Sequence, residues 1–362
     1  MIPDDVRAQF HPARCYLDTA TVGLPPDAAV RAIGMSITEW QGGRVDARSF
    51  DAVVDRSRAN FARLVATTAD RVGISATVSE VSGMVAASLP AGATVVAAKE
   101  EFTSVLWPFL VRQRAGELTV RTVPLAGLLD EVPGADLVAV SAAQSADGRV
   151  TDLDALAAAA AAGGTRTYVD LTQAASWLPV TAGAFDVTAA AAYKWLCCPR
   201  GTAFVTVCPA AAEWLQPIAA GWYAGEDPWA SVYGPPLRLA TDGRAYGTSP
   251  AWLGWAAAAP TLQLLADVGV DTIHAHDVAL ADRVRKAFGL PPAASAIVSL
   301  PDEVIPACQA GRTSEPGAPR TPAELLAAAG VASSNRAGAT RVSFHLYNGD
   351  DDVERLLDAL GA

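Results

Sequence analysis

Between residues 70 and 210 short β-branched or apolar runs alternate with helical stretches, and this alternation constrains the fold more than any other feature of the chain. The pattern predicts strands at 71–75, 94–98, 118–123, 136–141, 166–170, 186–190 and 202–207, with helices at 79–89, 103–114 and 153–162 between them. Strands that alternate with helices cannot be joined by tight hairpins, so they pair mainly in parallel and need helices on both faces of the sheet. Further helices are expected at 26–41, 50–65, 251–268, 271–288, 322–329 and 351–360, with Asp271 and Asp350 as N-caps. After about residue 250 the order changes to long helices, a strand at 295–300, a Pro/Gly/Arg-rich loop at 306–319 and a strand at 341–346. The expectation is an α/β chain with a mainly parallel central sheet flanked by helices, plus a smaller α+β domain. Residues 15–250 form the large domain, and 1–14 with 251–362 the small one. No internal repeat is present, and the 306–319 loop reads as a variable surface connection.

Composition narrows the function classes. A chain of 362 residues with 51% apolar and 18% charged side chains has the balance of a packed protein of about two domains. Its net charge of −11 excludes a general nucleic-acid binder, which needs a basic face, and disfavours adhesion to anionic lipid. The opening Met-Ile-Pro-Asp-Asp-Val lacks an export pattern, and the apolar stretch 251–266 is interrupted by Gly254, Pro260, Thr261 and Gln263. Five scattered cysteines make no disulfide framework. These features point to a soluble cytoplasmic protein without a membrane partner. Only three lysines (Lys99, Lys194, Lys286) stand among the 27 basic residues, so each amine invites a specific explanation.

The chemistry-bearing motifs are few. The dinucleotide and Walker phosphate loops, the zinc-protease and calcium motifs and the nucleophile elbow are all missing. His11, His274, His276 and His345 read as structural, and no metal is expected. What stands out is an aspartate, Asp170, at the end of an apolar strand, where open α/β sheets bind ligands, and a lysine, Lys194, directly after the apolar run 187–192. An amine so placed is desolvated, which lowers its pKa and makes it nucleophilic. Taken alone, Asp170 reads as a helix cap and Lys194 as a surface amine. A third element changes the balance: the strand 71–75 runs through Ala-Thr-Val-Ser-Glu into a helix, supplying N–H groups and hydroxyls for a phosphate. A lysine, a ring-nitrogen carboxylate and a phosphate cradle are what pyridoxal-phosphate chemistry needs.

The ordered motifs carry a resemblance over nearly the whole chain from residue 15. They are Tyr-Leu-Asp-Thr-Ala-Thr-Val-Gly (16–23), Ser-Ala-Thr-Val-Ser-Glu (75–80), Glu-Phe-Thr-Ser-Val-Leu-Trp-Pro (101–108) and Val-Asp-Leu-Thr-Gln (169–173). Tyr-Lys-Trp-Leu-Cys-Cys-Pro-Arg-Gly (193–201), Arg-Ala-Tyr-Gly-Thr-Ser-Pro (244–250) and Arg-Val-Ser-Phe-His-Leu-Tyr-Asn (341–348) follow. In these the chain resembles the class V aminotransferase family of fold-type I pyridoxal-phosphate enzymes, within it the epimerase-like, kynureninase-like and cysteine C–S lyase branch.

The resemblance implies pyridoxal 5′-phosphate as cofactor, bound covalently by Lys194, which then serves as general base and acid at the substrate Cα. It implies that Asp170 pairs with the ring nitrogen and Gln173 with the ring oxygen, while Phe102 stacks on the ring or is a core aromatic. Thr77, Val78 and Ser79 would hold the phosphate, with Tyr193 in place of the His that many members carry before the lysine. Thr248 or Ser249, and Trp222, would reach the phosphate of a neighbouring subunit, which implies a homodimer. Arg341 would hold the α-carboxylate of an amino-acid substrate. The expected reaction is of the aminotransferase type, with β-eliminating cysteine-conjugate C–S lysis or epimerisation as alternatives. Cysteine desulfurase is excluded on the absence of a His at position 102 and of a Cys in 333–340, Cys308 lying too far upstream.

Overall fold

The computed structural model describes residues 2–306 and 321–362, so most of the expected 306–319 loop, with Cys308, lies outside the described residues. The chain opens with a short helix α1 (Asp4–Arg7) and strand β1 (Cys15–Tyr16), then α2 (Asp27–Gln41) and α3 (Ser49–Leu64). The predicted alternation follows as β2 (Val72–Ser75), α4 (Val78–Ser88), β3 (Thr94–Ala98), α5 (Thr103–Arg114), β4 (Thr119–Val123) and β5 (Leu137–Ser141). It continues through α6 (Leu153–Gly163), β6 (Arg166–Asp170), β7 (Val187–Ala191) and β8 (Ala203–Val207). These seven strands form one sheet in the order β2-β8-β7-β6-β5-β3-β4, in which only β8 runs antiparallel to its neighbours.

The reason the central strands read as unbroken apolar runs is that both faces are covered. Val96, Val138, Val140, Val169 and Ala190 pack into one apolar cluster, with Phe61 of α3 and Leu156 of α6. Their alternate neighbours Val95, Leu137, Ala139, Tyr168 and Ala189 pack into another, with Val81 of α4 and Phe109 of α5. This two-residue period is the geometry of a strand buried on both sides. On the first face Phe61 stacks on Phe204 with ring centroids 4.2 Å apart.

After residue 250 come α7 (Trp252–Val268) and α8 (Val270–Ala287), then β9 (Ile297–Leu300), α9 (Pro322–Ala328), β10 (Val331–Ala332), β11 (Ser334–Arg336), β12 (Ala339–Ser343) and α10 (Asp350–Leu360). A second sheet has the order β11-β12-β9, and β1 pairs with β10 in parallel. Two expected caps are corrected here. Gly269, at φ +86°, is the N-cap of α8, because the chain turns by 80° between α7 and α8 through a left-handed conformation that favours glycine. Gly349 caps α10, with its N–H donating to the Asp352 carboxylate at 3.0 Å. Asp271 and Asp350 instead sit in the first turns, where their charge faces the positive end of the helix. Among the described residues no single helix is long and apolar enough to cross a membrane; α7 and α8 pass that test only as a bent pair, and α7 packs on α2 and α3.

Candidate active site

The carboxyl ends of adjacent parallel strands create the site. β6 ends at Asp170, and β7 ends at Ala191, three residues before Lys194, so the sheet itself brings carboxylate and amine to one edge. A pocket opens there, lined by Thr77, Val78 and Ser79 from the start of α4, by Phe102, Asp170 and Gln173, and by Tyr193, Lys194 and Arg200. Eight of the expected site residues therefore share one cavity. Trp222, Thr248 and Arg341 do not line it.

Lys194 is 5% exposed, and its ammonium lies 5.2 Å from the centre of the Phe102 ring and 5.7 Å from that of Tyr193. Burial pulls its pKa down to about 8; Asp170 acts the other way, and Arg341, Arg336 and Arg200 add to the lowering. Asp170 is buried and shifted up, chiefly by desolvation, while the Thr172 contacts and Lys194 oppose the shift. The Thr172 N–H donates to Asp170 Oδ1 at 2.9 Å, and the Thr172 hydroxyl accepts from Ala191 N–H at 2.9 Å, tying the two strand ends together. Phe102 is 42% exposed, which makes it a wall of the cavity and not a core residue.

At the mouth of α4, Thr77 is the N-cap and its hydroxyl accepts from the Glu80 N–H at 3.2 Å. Glu80 folds back to accept from Ser75 Oγ at 2.5 Å and from Ala76 N–H at 3.0 Å, fixing the loop. The first N–H groups of a helix have no intrahelical acceptor, so this turn offers donors to an anion.

The lysine loop is held from outside. Gly23 N–H donates to the Tyr193 carbonyl at 2.9 Å, and a Cβ at Gly23 would fall 1.9 Å from the Lys194 carbonyl oxygen, so only glycine fits that close approach. The next carbonyl, of Trp195, accepts from Ser176 Oγ at 2.8 Å and from His345 Nε2 at 2.9 Å. His345 is fully buried, and its Nδ1 faces Asp277 Oδ2 at 3.0 Å; Asp277 Oδ1 faces His276 Nδ1 at 2.9 Å. Burial pushes Asp277 up to about 7 and His345 down to about 3, so the carboxyl donates its proton to Nδ1 while Nε2–H donates to Trp195. His345 is structural, as expected from the sequence, but its buried partner Asp277 was not foreseen.

Three more residues were missed. Glu101 is buried and accepts from the Phe102 N–H at 2.9 Å, Ser141 N–H at 2.8 Å, Gln144 Nε2 at 3.1 Å and the Ser141 hydroxyl. It fixes the backbone that presents Phe102. Ser145 lines the pocket and accepts from Gln173 Nε2 at 3.1 Å and from Arg341 Nη1 at 3.2 Å. Gln173 also donates to the Ala20 carbonyl at 2.9 Å and accepts from Trp195 Nε1 at 2.8 Å, so its amide is tied to the scaffold. Arg341, 1% exposed, donates to Ser145 O at 2.6 Å, Thr21 Oγ1 at 2.8 Å and Ser334 Oγ at 3.1 Å, one residue back from the cavity wall. Thr21 is the third; it and Glu101 lie inside the ordered motifs, but no role was assigned to either. Thr248 N–H donates to Ile74 O at 2.9 Å, on the far side of β2, and Trp222 packs on Tyr223 and Trp229. Within its own chain neither reaches Lys194.

The class V aminotransferase family model matches residues 15–356. The chain belongs to this family. No curated protein sequence matches it. Among solved structures, a cysteine desulfurase from Thermococcus onnurineus is similar at 19% identity and a TM-score of 0.81, over 99% of this chain and 97% of that one. The cystine C–S lyase C-DES with its product cysteine persulfide is similar at 16% identity and 0.81, over 96% and 97%. A mutant of C-DES with glycine covalently linked to the PLP cofactor is similar at 17% and 0.83, over 99% of each chain. These likenesses show the fold: a type I pyridoxal-phosphate architecture, as expected. The cofactor expectation stands with it, and the chain is a class V enzyme dependent on pyridoxal 5′-phosphate.

The expected reaction does not stand. An aminotransferase with cysteine desulfurase excluded is contradicted by neighbours that are a cysteine desulfurase and a C–S lyase. The physical reason is that one lysine and one carboxylate on this scaffold serve several reactions, so a missing His or Cys in a short motif does not separate them.

The cavity fits the cofactor on its own terms. It joins a desolvated amine, a buried carboxylate, a half-exposed aromatic face and a helix N-terminus in one open space.

Proposed function

We propose that this enzyme cleaves the C–S bond of an S-substituted cysteine by β-elimination, releasing a thiol, pyruvate and ammonia with uptake of one water. The observation that carries this reading is that, among the described residues lining the pocket, Lys194 is the one amine, desolvated to a pKa of about 8, while the other acids there, Asp170 and Tyr193, are assigned in this reading to the cofactor and not to the substrate Cα. Epimerisation needs two such groups on opposite faces. Elimination needs one base, and a thiolate, whose conjugate acid has a pKa near 8.5, leaves without an acid to protonate it. The structural similarity to a cystine C–S lyase agrees with this chemistry.

Bound in this cavity, pyridoxal phosphate supplies an electron sink for the carbanion formed at the substrate Cα. Thr77, Val78 and Ser79 would hold its phosphate, and Asp170 would keep its ring nitrogen protonated. Phe102, Tyr193, Gln173 and Ser145 would border it from the other lining positions. Lys194 would anchor it and would serve as the base that takes the Cα proton. Arg341 stands behind Ser145, which lines the cavity and accepts from Arg341 Nη1, and would position that residue beside the α-carboxylate. Thr248 and Trp222 act on the cofactor of a second subunit, so the working form is a homodimer. The test is product identity with the cofactor-loaded enzyme and S-ethylcysteine. Pyruvate and ethanethiol in equal amounts support the reading. Alanine with sulfur left on the protein, from cysteine as substrate and without pyruvate from either, overturns it in favour of a desulfurase.

A further inference from the structure

The residues assigned to the phosphate are all uncharged. Thr77, Val78 and Ser79 offer hydroxyls and N–H groups, and Thr248, reaching over from a second subunit, brings one more hydroxyl. The start of α4 contributes about half a positive charge, whereas a phosphate monoester carries about two negative ones at neutral pH. The turn itself widens that deficit. The Glu80 carboxylate accepts from the Ala76 N–H at 3.0 Å, which places a negative charge beside the cradle and takes one donor away from it.

Among the described residues that line the cavity, the cations are Lys194 and Arg200. Lys194 anchors the cofactor, which leaves Arg200. The path of the chain puts it there. Residues 192–202 join the antiparallel strands β7 and β8, so this segment must double back. Ala192 N–H donates to the Thr202 carbonyl at 2.9 Å, and Cys198 N–H donates to the Ala192 carbonyl at 2.9 Å. The far end is closed by Thr202 Oγ1 on the Pro199 carbonyl at 2.7 Å and by Gly201 at φ +92°, a conformation that favours glycine. The loop thereby returns the Arg200 guanidinium to the Tyr193 ring, 5.1 Å from its centre. Arg200 is exposed, and among the described residues no carboxylate lies within ion-pair reach of it. In a chain of net charge −11, an arginine left unpaired on the wall of the site is a cation available to a ligand.

We propose that Arg200 is a phosphate-binding residue of the cofactor site, its guanidinium held on the Tyr193 ring and supplying the charge that the α4 turn lacks. A guanidinium presents paired N–H donors that match two phosphate oxygens, so it orients the ester as well as neutralising it. This rests on the cofactor lying in this cavity and not on the C–S cleavage reading, whichever bond the enzyme breaks.

The test is the affinity of the cofactor-free protein for pyridoxal 5′-phosphate and for pyridoxal, which lacks the phosphate, read from the visible band of the lysine-bound form. Arg200→Gln should weaken the phosphorylated ligand about tenfold and leave pyridoxal unchanged, with partial recovery in Arg200→Lys. Inorganic phosphate should compete with the cofactor in the wild type and about tenfold less well in Arg200→Gln. Equal weakening of both ligands would mean that Arg200 only props Tyr193, and overturns the proposal. Unchanged affinity for both overturns it as well, and a rise confined to the substrate KM would then assign the guanidinium to the substrate. Pyruvate does not enter the readout, so a failure of the C–S reading leaves this result standing.

Discussion

Two buried acid–base couples lie on either side of Trp195, and they obey the same physics to opposite ends. Asp170 and Lys194 are each nearly inaccessible, yet both line the cavity. Asp277 and His345 are fully buried and do not line that cavity; their bonds end on His276 and on the Trp195 carbonyl. In both couples burial drives the groups toward their neutral forms. Where there is space for a ligand, that cost becomes reactivity: an amine that sheds its proton near pH 8, well below the usual lysine range. Where there is none, it becomes a bracket that ties α8 and the segment after β12 to the carbonyl following Lys194. Burial of charge is therefore no marker of catalysis by itself. The open volume beside it decides.

Substitutions break this comparison from the open side first. Lys194→Ala removes both the anchor and the base, and pyruvate formation should fall by about 10⁴-fold, read in a coupled assay with cofactor in excess. An active variant would move the base to another residue. Asp170→Asn keeps the shape but removes the charge, and should cost about 10²-fold in kcat/KM.

The sealed couple should answer in stability. His345→Leu takes away the acceptor of the Asp277 proton and should cost about 2 kcal/mol in denaturant unfolding at neutral pH. Its pH profile sharpens the point. Asp277, raised from 3.8 to about 7, binds more protons folded than unfolded, so its contribution falls as pH rises across that window. His345, lowered from 6.5 to about 3, binds fewer, so its contribution rises with pH over nearly the same range. In the wild type the two slopes oppose each other. In the variant that of Asp277 is left, and stability should decline from about pH 4 to 7. A flat profile in the variant would mean that Asp277 is not held in its neutral form.

The same contrast explains how much was legible beforehand. Asp170, Gln173, Tyr193 and Lys194 sit within 25 residues on two adjacent parallel strands, so strand ends alone predict that they meet. Thr77–Ser79 and Phe102 follow from helix starts at the same sheet edge. The missed residues act through contacts distant in sequence: His345 with Asp277, 68 residues apart, and Arg341 with Ser145, 196 apart. No local period encodes such pairings. The reaction was misjudged because motif absences were weighed as chemistry, whereas the fold carries the same lysine through several outcomes.

The most direct test of the open couple is the pH dependence of cofactor capture by the cofactor-free protein, followed by growth of the visible band of the lysine-bound form. Capture needs the neutral amine, so its rate should rise with pH to a midpoint near 8 and then level, since burial lowers Lys194 from 10.5. Asp170 holds that pKa up, so the midpoint should move lower in Asp170→Asn. A wild-type midpoint near 10.5, or one that rises in the variant, would contradict the claim that this amine is desolvated and balanced by Asp170.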